Sequence, residues 1–428
     1  MSQNDWTIED FQVAALEGKD RFHDFALSEP LMHAIADLGF EYCTPVQSEV
    51  LPFSLSDYDV TGQAQTGTGK TAAFLITILT HQWENPRDTA APGTPRALIL
   101  APTRELAMQI GGDSEDLARH LGTGTQVVVG GIDFERQRRA LESDIVDIVV
   151  ATPGRLIDFM QRRVVNLRQV EILVIDEADR MLDMGFIPDV RRIVAQTPRR
   201  HNRQTMFFSA TFNKAVLELA SQWTVEPIHV RVDPEQLAPD AVHQKVYLTT
   251  RHDKFRMLFN LINQQELTRV IVFSNRRDET RRIHDRLVAL GVDCEMLSGE
   301  VPQRKRMSTL ERFKSGKIKV LVATDVAGRG LHVEGVSHVI NYNLPDDPED
   351  YVHRIGRTGR AGEEGTSISF ACEDDGFMLP RIEALLGTSL DCQHPPEELL
   401  VPLPADKRLA RTESMRKDPR LRRPRRSR

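Results

Sequence analysis

A chain of 428 residues, 40% apolar and 27% charged, is too long for one ordinary domain and has the composition of a soluble globular protein with room for two. No run approaches the roughly 18 apolar residues that cross a bilayer, and the opening MSQNDWTIED lacks signal-peptide character, so the expectation is a cytoplasmic protein that spans no membrane. The net charge is −7, and the four cysteines, Cys43, Cys294, Cys372 and Cys392, form no CxxC pair, which argues against a zinc site or a disulfide framework.

In chain order, residues 1–21 show no strong periodicity and read as an N-terminal extension. From residue 22 to 231, strand-like apolar runs at 97–100, 126–129, 145–150, 172–175 and 205–208 alternate with helical patterns. That alternation marks a parallel α/β sheet. Residues 85–95, with Pro86, Pro92, Gly93 and Pro95, read as a surface loop, and residues 232–242, VDPEQLAPDAV, read as a linker because prolines and acids interrupt both periodicities. A second series, at 270–273, 319–323, 338–340 and 366–370, fills residues 243–390. The fold class is therefore α/β, with two tandem units that each consist of a parallel sheet flanked by helices. Residues 391–428 read as a disordered tail rich in proline, then arginine. Within it, residues 407–428 carry eleven Lys/Arg against two acids, a net +9 that leaves −16 on the rest of the chain. A basic tail on an acidic body points to a polyanionic partner.

The most informative local motif is Ala64-Gln65-Thr66-Gly67-Thr68-Gly69-Lys70-Thr71. Its glycines let successive N–H groups converge on phosphate oxygens, Lys70 can reach the β- and γ-phosphates of ATP, and Thr71 can hold Mg2+. Ala64 stands where the general phosphate-loop pattern opens with glycine. Asp176-Glu177-Ala178-Asp179 follows the apolar run ending at Ile175, so its acids leave the carboxyl end of a strand, where such sheets bind ligands. Asp176 is expected on the metal with Thr71, and Glu177 on the attacking water. Arg354, Arg357 and Arg360, spaced by three beside His353, would aim one way and bring positive charge to the γ-phosphate.

With these motifs in this order, the chain resembles the DEAD-box family of superfamily-two RNA helicases over about residues 22–390. The resemblance implies two RecA-like domains, ATP and Mg2+ as ligands, and RNA as partner. Gly39–Gln47 looks like the family's adenine-reading stretch, which implies that Gln47 reads the base edge and that Phe22 packs on it. A side-chain amide suits that edge because it both donates and accepts. Thr103, Arg104, Gly130, Gly131, Thr152 and Arg155 resemble RNA-contacting positions, as do Gln303, Arg306 and Thr324 in the second half; Asp325 resembles an ATP contact. These groups suit phosphate and sugar oxygens, so weak sequence preference is expected. Ser209-Ala210-Thr211 resembles the motif that couples hydrolysis to strand separation, by hydroxyl bonds to Asp179 or its neighbours, with His353 in the same coupling set; Thr211 also reads as a helix cap. One departure stands out: His332 follows Arg329-Gly330-Leu331 where the family usually has an aspartate beside ribose. The chain looks most like the bacterial RhlB subfamily, which implies a role in RNA degradation alongside an RNase E-type endoribonuclease.

Two rival readings share the architecture. An ATP-gated RNA clamp that never unwinds would perform equally well with Glu177→Gln, and a DNA translocase would prefer DNA to RNA as ATPase stimulant.

Overall fold

The computed structural model describes residues 6–64, 68–87, 89, 91–232, 242–264, 267, 269–298, 301, 303–325, 335–359 and 365–404, without the side chains of Gln303, Arg304 and Glu349. The chain forms two compact units, residues 1–238 and 239–428. In the first, seven strands run β1 (Val60–Gln63), β2 (Ala97–Leu100), β3 (Thr125–Val128), β4 (Ile148–Ala151), β5 (Ile172–Ile175), β6 (Gln204–Ser209) and β7 (Ile228–Arg231). They pair in the order β3-β4-β2-β5-β6-β1-β7, every pair parallel. Helices cover both faces, so the central strands are apolar at nearly every position. Alternate residues feed two cores: Ile99, Val150, Val174 and Met206 enter one, while Leu98, Val149, Leu173 and Phe207 enter the other.

The second unit repeats the plan with β8 (Val242–Leu248), β9 (Val270–Phe273), β10 (Cys294–Leu297), β11 (Val320–Ala323), β12 (His338–Asn341), β13 (Gly365–Ala371) and β14 (Cys392–Gln393). Its order is β10-β11-β9-β12-β13-β8-β14, again parallel. Strand for strand this is the first order advanced by seven. In each unit, every strand's carboxyl end therefore lies on one edge, and the loops on that edge carry the candidate motifs.

Three expectations need correction. Residues 145–147 are not strand: Ile145 is exposed and β4 begins at Ile148. The proposed linker 232–242 is shorter at both ends, because Val232 is buried with its N–H on the Gln63 carbonyl (3.1 Å) and Val242 opens β8; residues 233–241 lie outside the described residues. The tail does not begin at 391. Residues Cys392–Gln393 add β14 to β8, and Leu399 is buried beneath Asn260, whose Nδ2 donates to the Leu399 (2.9 Å) and Val401 (2.8 Å) carbonyls. The basic part, 407–428, lies outside the described residues. From residue 6 the N-terminal extension packs on the first unit, with Trp6 stacked on His33 at 4.3 Å and the Tyr42 hydroxyl donating to the Ala14 carbonyl at 2.8 Å.

Candidate nucleotide and RNA site

On the first unit the carboxyl edge divides in two. The ends of β5, β6 and β1, adjacent in the sheet, carry the nucleotide candidates, and the ends of β3, β4 and β2 carry the RNA candidates.

Ala64 leaves β1; Gln65, Thr66 and Gly67 lie outside the described residues. Gly69 turns the chain with φ 93°, and a Cβ there would stand 2.6 Å from Gln47 Nε2 and 2.7 Å from Thr44 Oγ1. Both the left-handed backbone and the crowding demand glycine. Thr68 is buried just before it. Lys70 then opens the helix Lys70–Glu84, with Thr71 half-buried in the first turn. The buried Lys70 ammonium donates to the Ala64 carbonyl (2.6 Å) and lies 4.0 Å from Asp176 Oδ1. Burial pushes the Asp176 carboxyl up to about 6 against the pull of Lys70. A carboxylate so desolvated, with a hydroxyl-bearing helix start nearby, fits a site for a hard divalent cation.

Glu177 has φ 52° and ψ 54°, a left-handed conformation that L-residues adopt only under constraint. Its Oε2 accepts from Arg180 Nη1 at 2.8 Å, and both side chains are buried. Asp179 is the hub of the edge. Its Oδ2 accepts from the Ala210 N–H (3.1 Å), the Thr211 N–H (3.1 Å) and the Thr211 hydroxyl (3.3 Å), while its own N–H donates to Ser209 Oγ (3.2 Å). The Ser209 carbonyl in turn accepts the Ala64 N–H at 3.2 Å. One chain of bonds thus joins the end of β6, the acidic loop and the start of the phosphate loop. The capping expectation for Thr211 is corrected: Asn213 caps the following helix through the Val216 N–H.

Gln47 sits at the phosphate loop. Its Oε1 accepts the Thr44 N–H (2.8 Å) and its Nε2 donates to the Gly69 carbonyl (3.1 Å), which leaves one acceptor and one donor site on the amide for a base edge. Phe22 departs from the expectation that its ring packs on a base. At 1% exposure it lies in the core beside Phe40, so its ring face is used in packing.

On the other half, Thr103 caps the helix Arg104–Leu117 through the Leu106 N–H at 3.3 Å. The Arg104 guanidinium lies over Gly130, where a Cβ would stand 3.1 Å from Nη2, and Gly131 turns with φ 78°. Thr152 precedes the helix Pro153–Gln161, and Arg155 Nη1 donates to the Ile132 carbonyl at 3.3 Å. These residues gather at neighbouring strand ends, as their type suggested.

In the second unit, Gln303 opens the helix Gln303–Lys314, the buried Arg306 donates to the Ser298 carbonyl (3.3 Å), and Thr324 is buried at the end of β11. Arg354 departs from the common aim expected of the three arginines. Arg354, 2% exposed, turns inward: Nε and Nη2 clamp Asp325 at 2.5 and 2.7 Å, Nη2 also reaches Asn275 Oδ1 (2.8 Å), and Nη1 takes the Asn343 carbonyl (2.7 Å). Asp325 is thus held by its own domain. Arg357, two residues past the end of the helix Pro348–Ile355 and also buried, donates through Nε to the His353 carbonyl at 3.1 Å, and Arg360 and His332 lie outside the described residues. Sequence reasoning missed the Arg354 clamp and the Arg180–Glu177 pair; only the second left a signal, its i,i+3 spacing across a helix start.

Comparison with known proteins gives the family. A DEAD/DEAH box helicase model matches residues 44–219 and a helicase conserved C-terminal domain model matches 253–362. ATP-dependent RNA helicase RhlB of Pseudomonas aeruginosa is 58% identical over 393 residues, covering 92% of this chain and 99% of the relative. RhlB of Xanthomonas oryzae is 47% identical over 385 residues, covering 90% and 67%. Saccharomyces cerevisiae Dbp5 bound to RNA and ADP BeF3 superposes with a TM-score of 0.79 at 29% identity, covering 93% and 99%. Mss116p bound to ssRNA and AMP-PNP gives 0.79 at 29%, covering 95% and 88%. The chain therefore belongs to the DEAD-box family of ATP-dependent RNA helicases, as an RhlB-like member with two tandem RecA-like domains.

Proposed function

We propose that this helicase, with RecA-like domains at 22–231 and 243–390, binds RNA without regard to sequence and opens short duplexes locally as ATP draws its domains together. Bacterial mRNA degradation in the cytoplasm, beside an RNase E-type endoribonuclease, is the setting that the RhlB likeness supports. The observation that supports the coupling is the Asp179 hub: its carboxylate accepts from Ala210 and Thr211, its N–H donates to Ser209 Oγ, and the Ser209 carbonyl accepts the N–H of Ala64 at the start of the phosphate loop.

In this reading Lys70 and the loop residues 64–71 hold the phosphates, and Gln47 offers its remaining amide sites to the adenine. Asp176 and Thr71 would hold Mg2+, which when bound supplies positive charge to the phosphate oxygens. Glu177 orients the water, and Arg357 and Arg360 stabilise the charge that develops on the γ-phosphate. Arg104, the Gly130–Gly131 N–H groups, Thr152 and Arg155, with Gln303, Arg306 and Thr324, hold the RNA backbone; contacts to 2′-OH groups select RNA over DNA. Each ligand then strengthens the other's binding, by the reciprocity that linkage requires.

Steady-state ATPase with and without single-stranded RNA, run beside a strand-separation assay, tests the reading. RNA should stimulate hydrolysis strongly, and Glu177→Gln should lower it by about 10²–10⁴-fold, the usual worth of a positioned general base. Unwinding that persists undiminished in Glu177→Gln would favour a clamp, and absence of RNA stimulation in the wild type would reject the coupled mechanism.

A further inference from the structure

Glu177 enters its helix in the left-handed region, so backbone geometry directs where its side chain starts but not where its carboxylate ends. The carboxylate is settled by Arg180, one helical turn on, at 2.8 Å, with the two side chains 8% and 7% exposed. Arg180 is itself anchored at its base, since its N–H donates to Asp179 Oδ1 at 2.9 Å. Its remaining guanidinium nitrogens, Nε and Nη2, are buried and have no partner. Buried donors of that kind call for an oxygen acceptor, and their neighbour is the acid that the proposed function places on the attacking water.

We propose that Arg180 is a positioning residue for hydrolysis: its guanidinium fixes the Glu177 carboxylate in one orientation, and its two unpartnered donors hold an oxygen, from water or phosphate, beside that carboxylate. The inference rests on the reading of Glu177 as the group that orients the water. The fork explains why arginine stands here. A lysine would keep the charge and one bond to Glu177 but could not direct further donors in fixed geometry.

The test compares the full chain with Arg180→Gln, Arg180→Lys, Glu177→Gln and the double Arg180→Gln/Glu177→Gln, measuring RNA-stimulated ATPase. Misplacing a catalytic group by an ångström costs about 10²-fold, so Arg180→Gln should lower kcat by about 10–100-fold. Its KM for ATP, and its affinity for single-stranded RNA with AMP-PNP, should stay within about twofold, the pattern of an interaction used only in the transition state. Arg180→Lys should recover part of the loss. The double variant should be no slower than Glu177→Gln alone, because residues that act as a unit are not additive. If Arg180→Gln does not fold, Arg180→Lys decides, with a drop of about tenfold expected from its lost fork geometry. Wild-type kcat in both Arg180 variants, or losses that multiply in the double variant, would overturn the proposal while leaving Glu177 in place. A Glu177→Gln enzyme as fast as wild type would remove the functional reading and the proposal together.

Discussion

The carboxyl edges of the two sheets are built on one plan and carry opposite chemistry. Lys70 opens the helix after β1, and its counterpart Lys254 opens the helix Lys254–Gln264 after β8. The first lysine is only loosely matched, to a carbonyl and to Asp176 at 4.0 Å. The second is closed in: Lys254 Nζ donates to Asp375 Oδ2 at 2.6 Å, and the same carboxylate accepts the Leu344 N–H (3.1 Å) and the Cys372 N–H (2.8 Å). The loop before Lys254, Thr249-Thr250-Arg251-His252-Asp253, has no glycine with which to form a phosphate cradle. A cavity of about 390 Å³ remains there, yet four basic and four acidic side chains line it, so its charges balance internally. The same fold thus yields a candidate nucleotide site whose lysine lies 4.0 Å from the nearest paired carboxylate, and a structural joint whose lysine is bonded to an aspartate at 2.6 Å.

The sharpest way to break this comparison is to remove each lysine. Lys70→Ala should cut ATP hydrolysis by about 10²–10³-fold, the scale seen when one donor to a developing charge is lost. Lys254→Met, assayed below its unfolding temperature, should hydrolyse ATP within about twofold of wild type, because a residue away from the reacting groups changes no transition-state contact. Equal losses in the two variants would show that the edges are not divided as described. The stability cost should fall the other way. Lys254→Met strands Asp375 without its cation and should destabilise the second unit by about 3–5 kcal/mol, read by urea denaturation. Replacing both partners, Lys254→Met with Asp375→Leu, should recover much of that loss, unless the backbone bonds of Asp375 to Leu344 and Cys372 matter more than the ion pair.

Asp179 and Asp375 sharpen the comparison further. Both tie loops of one edge together, but only Asp179 joins the acidic loop to the Ser209–Thr211 coupling candidate and, through Ser209, to the start of the phosphate loop. Asp179→Asn keeps the size and one acceptor oxygen while losing charge-assisted bonds to two N–H groups and a hydroxyl. It should lower RNA stimulation of the ATPase by about tenfold, since bonds to a charged group are worth about 1.5–3 kcal/mol each and part survives. Basal hydrolysis should fall less. Loss of basal and stimulated rates in the same ratio would make Asp179 a simple structural support.

How much of this was legible follows the distance over which each feature is encoded. Strands β2, β5 and β9 are uninterrupted runs of apolar residues and read directly from the sequence. Strand β1 escaped although it lies between β6 and β7, because its Val-Thr-Gly-Gln contains one large apolar residue. Gly62 is there because Phe208 packs where a Cβ would sit, at 2.5 Å, a reason that exists only in three dimensions. Strands β8 and β10 escaped because polar residues interrupt them. The phosphate loop and acidic loop were visible because their chemistry is local. The inward clamp of Arg354 was not: even spacing suggested one direction for the arginines, and the partner that turns Arg354 inward, Asp325, lies 29 residues away. The aromatic reading of Phe22 failed for a related reason, since a ring that suits a base also suits a core.

The amino edge of the first sheet supplies the control with the smallest effect. There Arg96 forks onto Glu171, Nε at 3.0 Å and Nη2 at 2.7 Å, and His81 Nε2 lies 3.0 Å away. Burial alone pushes the Glu171 carboxyl up, but the bonds and charges of His81 and Arg96 outweigh it and hold the group down at about 2. The folded protein therefore releases this proton more readily than the unfolded chain, whose ordinary value is 4.5. Its contribution is fully present above about pH 4.5 and is lost as pH falls from there through about 2, below which both states are protonated. Glu171 is two-fifths exposed, so solvent screens the pair and the gain is modest. Melting temperature followed from pH 7 to pH 3 should decline more steeply in wild type than in Glu171→Gln, while RNA-stimulated ATPase at neutral pH should be the same in both. Parallel pH curves would mean that the pair adds nothing, and a slowed ATPase would mean that the amino edge takes part in function, which the division of the fold into a reacting edge and a supporting edge does not allow.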